Sequence, residues 1–337
     1  MPPASAIATK VRKLRMFIGS FQLCMKNSTM IALDVSKPQA YSQATKRKSY
    51  FSGLFMHPAR EGNLTTRDIF QSIRDFGPDA IQRIVDRLEF RGSDPIFLKM
   101  RERYLEQMGL TANARVLDCG CGTGVVSRAI AQRDGFAGVI AGVDFSADLI
   151  EAAQRLAHEK GLDGRIEFRV GDAHALEDAN GSYDFVILHT LVSHVVDPAR
   201  VISEAARVVR PSGVIAIFDG DYASLAYGAG DRQLNGTIVN AILAAAVANS
   251  EVMRQLPKLL NDCGLEVVAF LPDVHAETGK ASFFSNLAES YVPIAVKAGM
   301  VSDQLAGHWL ASQRDASSNA TFFAACNFYA YLARKSG

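Results

Sequence analysis

The residues whose types and spacing point to chemistry are Asp118, Gly120, Gly122 and Gly124, in the run Val116-Leu117-Asp118-Cys119-Gly120-Cys121-Gly122-Thr123-Gly124. An apolar run that ends in an acid and meets alternating glycines reads as a buried strand, a tight turn and a helix start. Glycine reaches positive φ without steric cost and lets a ligand approach the backbone. Free backbone N–H groups point outward at such a junction, which suits a nucleotide-bearing ligand. Twenty residues past Gly124 a second apolar run, 138–143, ends in Asp144. A carboxylate at that place can accept hydrogen bonds from both hydroxyls of a ribose.

Two ligand classes use this geometry. A dinucleotide fingerprint requires G-x-G-x-x-G. Here Val125 stands where that fingerprint has its last glycine. Asp118 at the strand end would also repel a diphosphate, whereas a cationic group such as an amino-acid ammonium tolerates it. The run resembles motif I of the class I S-adenosylmethionine (SAM)-dependent methyltransferases, (D/E)-x-G-x-G-x-G. Asp118, Gly120, Gly122 and Gly124 meet it in full. A nicotinamide oxidoreductase is disfavoured by the glycine spacing.

Further matches lie downstream. Gly171-Asp172-Ala173-His174 closes a third apolar run, at the place where the family bonds the adenine amino group. Asp172 is therefore the expected adenine reader; its other reading is a helix N-cap using the same oxygens. The fourth run ends in His189 and is followed by Thr190-Leu191-Val192-Ser193-His194-Val195-Val196-Asp197-Pro198. An Asp-Pro opening the next helix, and Pro211-Ser212-Gly213 before the next strand, resemble the methyltransferase group that includes the ubiquinone/menaquinone C-methyltransferases. The resemblance covers roughly 114–220, and the flanks in outline.

It implies that Asp118 faces the methionine ammonium, that Gly120, Cys121, Gly122 and Gly124 border the methionine part, and that Asp144 and Phe145 hold the ribose side. It gives Asp172 and Ala173 the adenine and makes His189 a wall of the cofactor pocket. At the acceptor end stand His194, Asp221 and Tyr222. His194 is the general-base candidate, because an unperturbed imidazole titrates near neutrality; its other reading is a packing or capping histidine. Asp221 and Tyr222 follow the fifth strand and could orient a hydroxyl or an amine, or serve as turn residues. The cofactor would be S-adenosyl-L-methionine and the product S-adenosyl-L-homocysteine. The expected reaction moves the sulfonium methyl in line onto an O, N or C nucleophile of a small molecule. The alternatives are a protein or RNA methyltransferase, and a SAM-binding cyclase or regulatory protein.

The elements that must position these groups alternate strand and helix, which marks a parallel sheet with helices on both faces. Strands are expected at 114–118, 138–143, 165–170, 183–189 and 213–219. Helices are expected at about 124–133, 146–160 and 198–209. A long Ala-rich helix, 234–262, leads to a sixth strand, 265–271. A seventh, 321–333, lies antiparallel beside it, as the resemblance implies. The fold class is thus α/β, Rossmann-like, with a seven-stranded mostly parallel sheet. The connection 274–319 carries two helices, 281–298 and 302–314, as a lid, an acceptor pocket or a dimer contact. Residues 64–109 read as three helices ahead of the sheet. Thr65 or Thr66 caps the first, Pro78 opens the second, and Asp94-Pro95 opens the third.

The 337 residues carry a net charge of +1, with 48% hydrophobic and 21% charged side chains, so nothing global points to nucleic acid. No apolar run is long enough for a transmembrane helix. Residues 1–50 hold nine Lys/Arg against the single acid Asp34, while the rest is net acidic. Residues 1–62 read as a basic tail, as sequence ahead of a start at Met30 or Met56, or as a mitochondrial transit peptide. Residues 63–337 form the expected methyltransferase domain. Five scattered cysteines fit a reducing compartment, and the expected location is cytoplasmic. The Cys119/Cys121 pair lacks a second pair at zinc-site spacing, so no metal is expected. A homodimer is compatible with the added helices.

Overall fold

The computed structural model describes the backbone of residues 21–26 and 29–34, Phe70, and residues 77–335. The chain divides into two compact units, Met1–Leu64 and Thr65–Gly337. In the first, β1 (Phe21–Lys26) and β2 (Thr29–Asp34) pair antiparallel as a hairpin, with Lys26 opposite Thr29. The other expectations for residues 1–62, and the helix capped at Thr65 or Thr66, lie outside the described residues.

In the second unit, α1 (Pro78–Ser93) starts on Pro78 and buries Ile84 and Val85. These pack with Leu149 and Ala152. Asp94 then caps α2 (Pro95–Met108), its Oδ1 accepting from the N–H groups of Ile96 at 2.9 Å and Phe97 at 3.2 Å. Such a cap contributes about 1 kcal/mol. Gly109, at φ 66°, closes the helix in the left-handed conformation that glycine tolerates.

The sheet follows as β3 (Arg115–Cys119), β4 (Val139–Asp144), β5 (Ile166–Val170), β6 (Tyr183–His189), β7 (Val209–Tyr227), β8 (Leu265–Gly279) and β9 (Phe322–Lys335). Between them run α3 (Val125–Ala131), α4 (Ala147–Glu159), α5 (Pro198–Val208), α6 (Arg232–Ala246), α7 (Val252–Asp262), α8 (Phe283–Lys297) and α9 (Asp303–Ser318). The strand order is β5-β4-β3-β6-β7-β9-β8. Only β9 pairs antiparallel with its neighbours β7 and β8 in this sheet; the other pairings are parallel. Successive residues of each central strand enter opposite cores. Val116, Ile187 and Phe218 lie on one face, and Leu117, Leu188 and Ile217 on the other. The chain reverses its direction of travel across the sheet between β3 and β6, and ligands of open parallel sheets bind at such a switch.

Two elements depart from expectation. The single helix expected over 234–262 is broken between α6 and α7. There the chain turns to hydrogen-bond the segment after β6: the Asn249 N–H donates to Ser193 O at 2.9 Å, and its Nδ2 donates to Val195 O at 2.7 Å. Strands β7 and β8 also run past their expected ends. Both are extended by pairing with β9, which reaches Phe322 opposite Gly279 and Ala324 opposite Tyr227. The connection between β8 and β9 keeps its two helices, and α8 packs on α6.

Candidate active site

A cavity of about 660 Å³ opens at the carboxyl ends of β3 to β7, walled by α1, α6 and α8. That volume falls within the range of about 300–1,000 Å³ found for small-molecule sites.

The glycine turn forms one side. Gly120, Gly122 and Gly124 all have positive φ, at 73°, 53° and 78°. A Cβ at Gly120 would meet Leu191 at 2.6 Å, and one at Gly124 would meet Phe168 at 2.6 Å, so the protein's own packing already demands glycine there. Gly124 accordingly lies beneath Phe168 rather than in the cavity lining. The expectation of outward free N–H groups does not extend to the glycines and Cys121. The N–H groups of Gly120 and Cys121 donate to Val143 O at 2.7 and 3.0 Å, that of Gly124 donates to Cys121 O, and that of Gly122 donates to Asp144 Oδ2 at 2.8 Å. The turn thus uses four of its N–H groups internally.

What the turn leaves open is an acceptor. Asp118 is 1% exposed and lines the cavity. Its Oδ2 accepts from the Ser127 N–H at 3.0 Å and from Ser127 Oγ at 2.6 Å, while its Oδ1 is buried without a hydrogen bond. Burial raises its pKa to about 6, against the lowering effect of the Ser127 bonds. A buried carboxylate oxygen without a hydrogen bond calls for a cationic or hydrogen-bonding partner.

Asp144 is held by two backbone donors, Gly122 N–H on Oδ2 and Ser146 N–H on Oδ1 at 2.9 Å. Burial raises its pKa as well. Each oxygen keeps a second lone pair, so the carboxylate is fixed in place yet able to accept again. Phe145, 38% exposed, stands beside it. Asp172 bonds its own turn, accepting from the His174 N–H and Nδ1 at 2.9 and 2.8 Å. Cys121, Phe145, Asp172, Ala173 and His189 all line the cavity. His189 stacks on Phe218 at 4.7 Å, and its Nδ1 lies 2.9 Å from the Tyr104 hydroxyl. Burial, then the charges of Arg91 and Arg101, hold its pKa well below the usual value, so the ring is neutral.

At the opposite end, the segment after β6 presents His194. Its shape is fixed by Asp219, which is fully buried and accepts from the Ser193 N–H and Oγ, both at 3.0 Å. Thr190 takes φ 53°, a strained value for a β-branched residue, with its N–H on Phe218 O at 2.7 Å. His194 is 8% exposed, 4.7 Å from the Phe70 ring and 6.2 Å from the Tyr222 ring. Tyr222 lines the cavity, and burial pushes its hydroxyl pKa up, opposed by the Arg91 guanidinium.

Asp221 requires a correction. Strand alternation puts it on the face opposite Tyr222. Its carboxylate is buried against Arg254 Nε, 2.9 and 3.1 Å from its two oxygens, and it is not part of the cavity lining. Sequence reasoning missed Arg91, Phe97 and Leu287, which join Phe283 of the expected helix 281–298 in completing the wall from α1, α2 and α8. It also missed Glu89, which accepts from Thr123 Oγ1 at 2.6 Å and takes Arg128 Nη2 on both oxygens. This contact ties α1 to the glycine turn. The periodicity of α1 marks its buried face but gives no sign of where its other residues dock.

Residues 110–258 match the model of a family described as a methyltransferase domain. A 37.1 kDa protein of transposon TN4556 in Streptomyces fradiae is 28% identical over 250 residues, covering 68% of this chain and 70% of that one. The ubiquinone biosynthesis O-methyltransferase of Azorhizobium caulinodans is 30% identical over 195 residues, covering 58% of this chain and 65% of that one. In fold, the chain resembles a Bacillus halodurans protein described as a methyltransferase, with a TM-score of 0.51 and 17% identity over 70% of this chain and 99% of that one. An acid-led glycine turn at the switch point and an antiparallel β9 between β7 and β8 accompany that match, and residues 110–258 are similar to the methyltransferase domain of the class I SAM-dependent enzymes.

Proposed function

We propose that the protein transfers the methyl group of SAM to a small-molecule acceptor. The observation that carries this reading is the buried, unpaired Oδ1 of Asp118 in a cavity whose glycine turn uses the N–H groups of Gly120, Cys121, Gly122 and Gly124 internally. A diphosphate would be repelled by that carboxylate. The amino-acid end of SAM brings an ammonium, which suits that oxygen directly or through water. Asp144 is oriented for the ribose hydroxyls, and Asp172 stands at the end of β5 for the adenine amino group. When bound, the cofactor would supply an electrophilic methyl and a neutral thioether leaving group.

The chain's own contribution is positioning and exclusion of water. Phe97, Phe283 and Leu287 give the acceptor end an apolar wall. His194 is placed to take the proton that an oxygen or nitrogen nucleophile loses as its lone pair bonds the methyl carbon. Tyr222 is placed to orient the nucleophile. Asp221 has no part in this assignment, being committed to Arg254. A walled, largely apolar cavity favours a small molecule over a polymer.

The test is incubation with methyl-labelled SAM and a size-fractionated cell extract. Label in the small-molecule fraction is the expected result. Label confined to protein or RNA overturns the acceptor assignment, and failure of the protein to bind SAM in calorimetry overturns the whole reading.

A further inference from the structure

Resting on that reading, we infer that the acceptor is an apolar carboxylic acid whose carboxylate is anchored by Arg91. Arg91, in the last turn of α1, lines the cavity. Its guanidinium lies 4.6 Å from the centre of the Phe97 ring and 5.8 Å from that of Phe328. Its Nε and Nη2 are buried and make no hydrogen bond. Among the described residues no carboxylate pairs with it, although it faces a cavity that four aspartates line elsewhere: Asp118, Asp144, Asp172 and Asp197. An ionised group buried without a partner is costly, and the cost is recovered when a ligand brings the counter-charge.

The geometry selects the class of anion. Nε and Nη2 form the edge of the guanidinium that a carboxylate meets with two parallel hydrogen bonds. The neighbouring arginines are engaged. Arg87 lies 4.2 Å over the Tyr291 ring and donates to Asn286 Oδ1, and Arg101 is bonded to Glu102 and to Gly92 O. One available guanidinium suits a monoanion better than a doubly charged phosphate. The surrounding Phe97, Tyr222, Leu225, Phe283 and Leu287 suit an alkyl or aryl body. The carboxylate is the anchor and not the methylated group, because a bidentate guanidinium withdraws the lone pairs that attack on the methyl carbon would need.

The test first measures SAM affinity of the full-length protein, of Arg91→Met and of Arg91→Lys. Loss of SAM binding by the unaltered protein would count against the methyltransferase reading, separately from the acid. The protein loaded with S-adenosylhomocysteine is then titrated with a panel of alkyl and aryl carboxylates, each beside its uncharged primary amide. The expected result is at least one acid bound about tenfold or more tighter than its amide. Arg91→Met should bring that preference to about unity, and Arg91→Lys should retain part of it. Equal binding of every acid and its amide overturns the inference, as does an acid preference that survives in Arg91→Met. If Arg91→Met does not fold, a full preference kept by Arg91→Lys overturns the bidentate contact.

Discussion

Asp118 combines a structural and a binding role in one carboxylate, and the two leave opposite marks on stability and affinity. Burial raises its pKa to about 6, so in the absence of ligand a proton competes with any cation for Oδ1. SAM affinity should therefore be flat above about pH 6 and fall by up to about tenfold per pH unit below it. In Asp118→Asn that dependence should vanish and the plateau affinity drop; calorimetry at pH 5 and 7.5 decides it, and an unchanged wild-type affinity at pH 5 would remove the ammonium contact. The stability sign is the reverse. A raised folded-state pKa stabilises at low pH, and that contribution is lost as pH rises through about 6. Without ligand, Asp118→Asn should then melt above the wild type at pH 7.5. For Asp144→Ala, loss of two charge-assisted hydrogen bonds should weaken SAM binding by about a hundredfold. Equal affinity in the two proteins would mean that the ribose lies elsewhere. His194→Ala should leave SAM affinity within about twofold and lower kcat by about a hundredfold or more. Unaltered turnover would end its assignment as base.

At the scale of elements, the acceptor end depends on contacts between segments far apart in sequence. At the break between α6 and α7, Asn249 satisfies the carbonyls of Val192 and Val195 and so ties down the segment that carries His194. Asn249→Ala leaves those carbonyls short of a partner, at a cost of about 1–3 kcal/mol. Lower stability in urea, lower kcat and an unchanged Kd for SAM are expected. A variant with normal kcat would show that the segment is held by Asp219 alone. These contacts also mark how far sequence reading reaches. The strand–turn–helix unit and Asp144 are legible because their signals are local: apolar runs, an acid at each strand end, and glycines where φ is positive. The sides of β7 were legible too, since alternation separates Asp221 from Tyr222, but proximity in sequence outweighed it. Arg91 and Glu89 were not legible. Both lie on α1, more than twenty residues ahead of β3, and meet the cavity and the glycine turn only through tertiary packing. The Ala-rich run of α6 likewise gives no local sign that Asn249 is needed by another segment.

Across the whole second unit, the cavity joins elements that the sheet alone does not hold together. Its lining draws on α1, the ends of the parallel strands, α6 and α8, and it includes four aspartates and the Arg91 guanidinium, whose Nε and Nη2 make no hydrogen bond. Without ligand, the cavity holds buried polar atoms without partners on two charged groups, Asp118 Oδ1 and Arg91 Nε and Nη2. No ion pair joins the two, so an entering ligand can match either. Ligand binding should consequently be read out as global stabilisation. At a concentration of about 100 times Kd, SAM should add about 2.7 kcal/mol. For a unit of this size that is a rise in Tm of roughly 5–10 °C. The rise should shrink at pH 5, where Asp118 is protonated, and shrink further in Asp144→Ala at the same ligand concentration. An acid that pairs with Arg91 should raise Tm again when added to the S-adenosylhomocysteine complex, and should do so less in Arg91→Met. A Tm that responds to SAM equally at pH 5 and 7.5 would show that the cofactor is held without the Asp118 carboxylate, leaving its burial as a cost with no ligand to offset it.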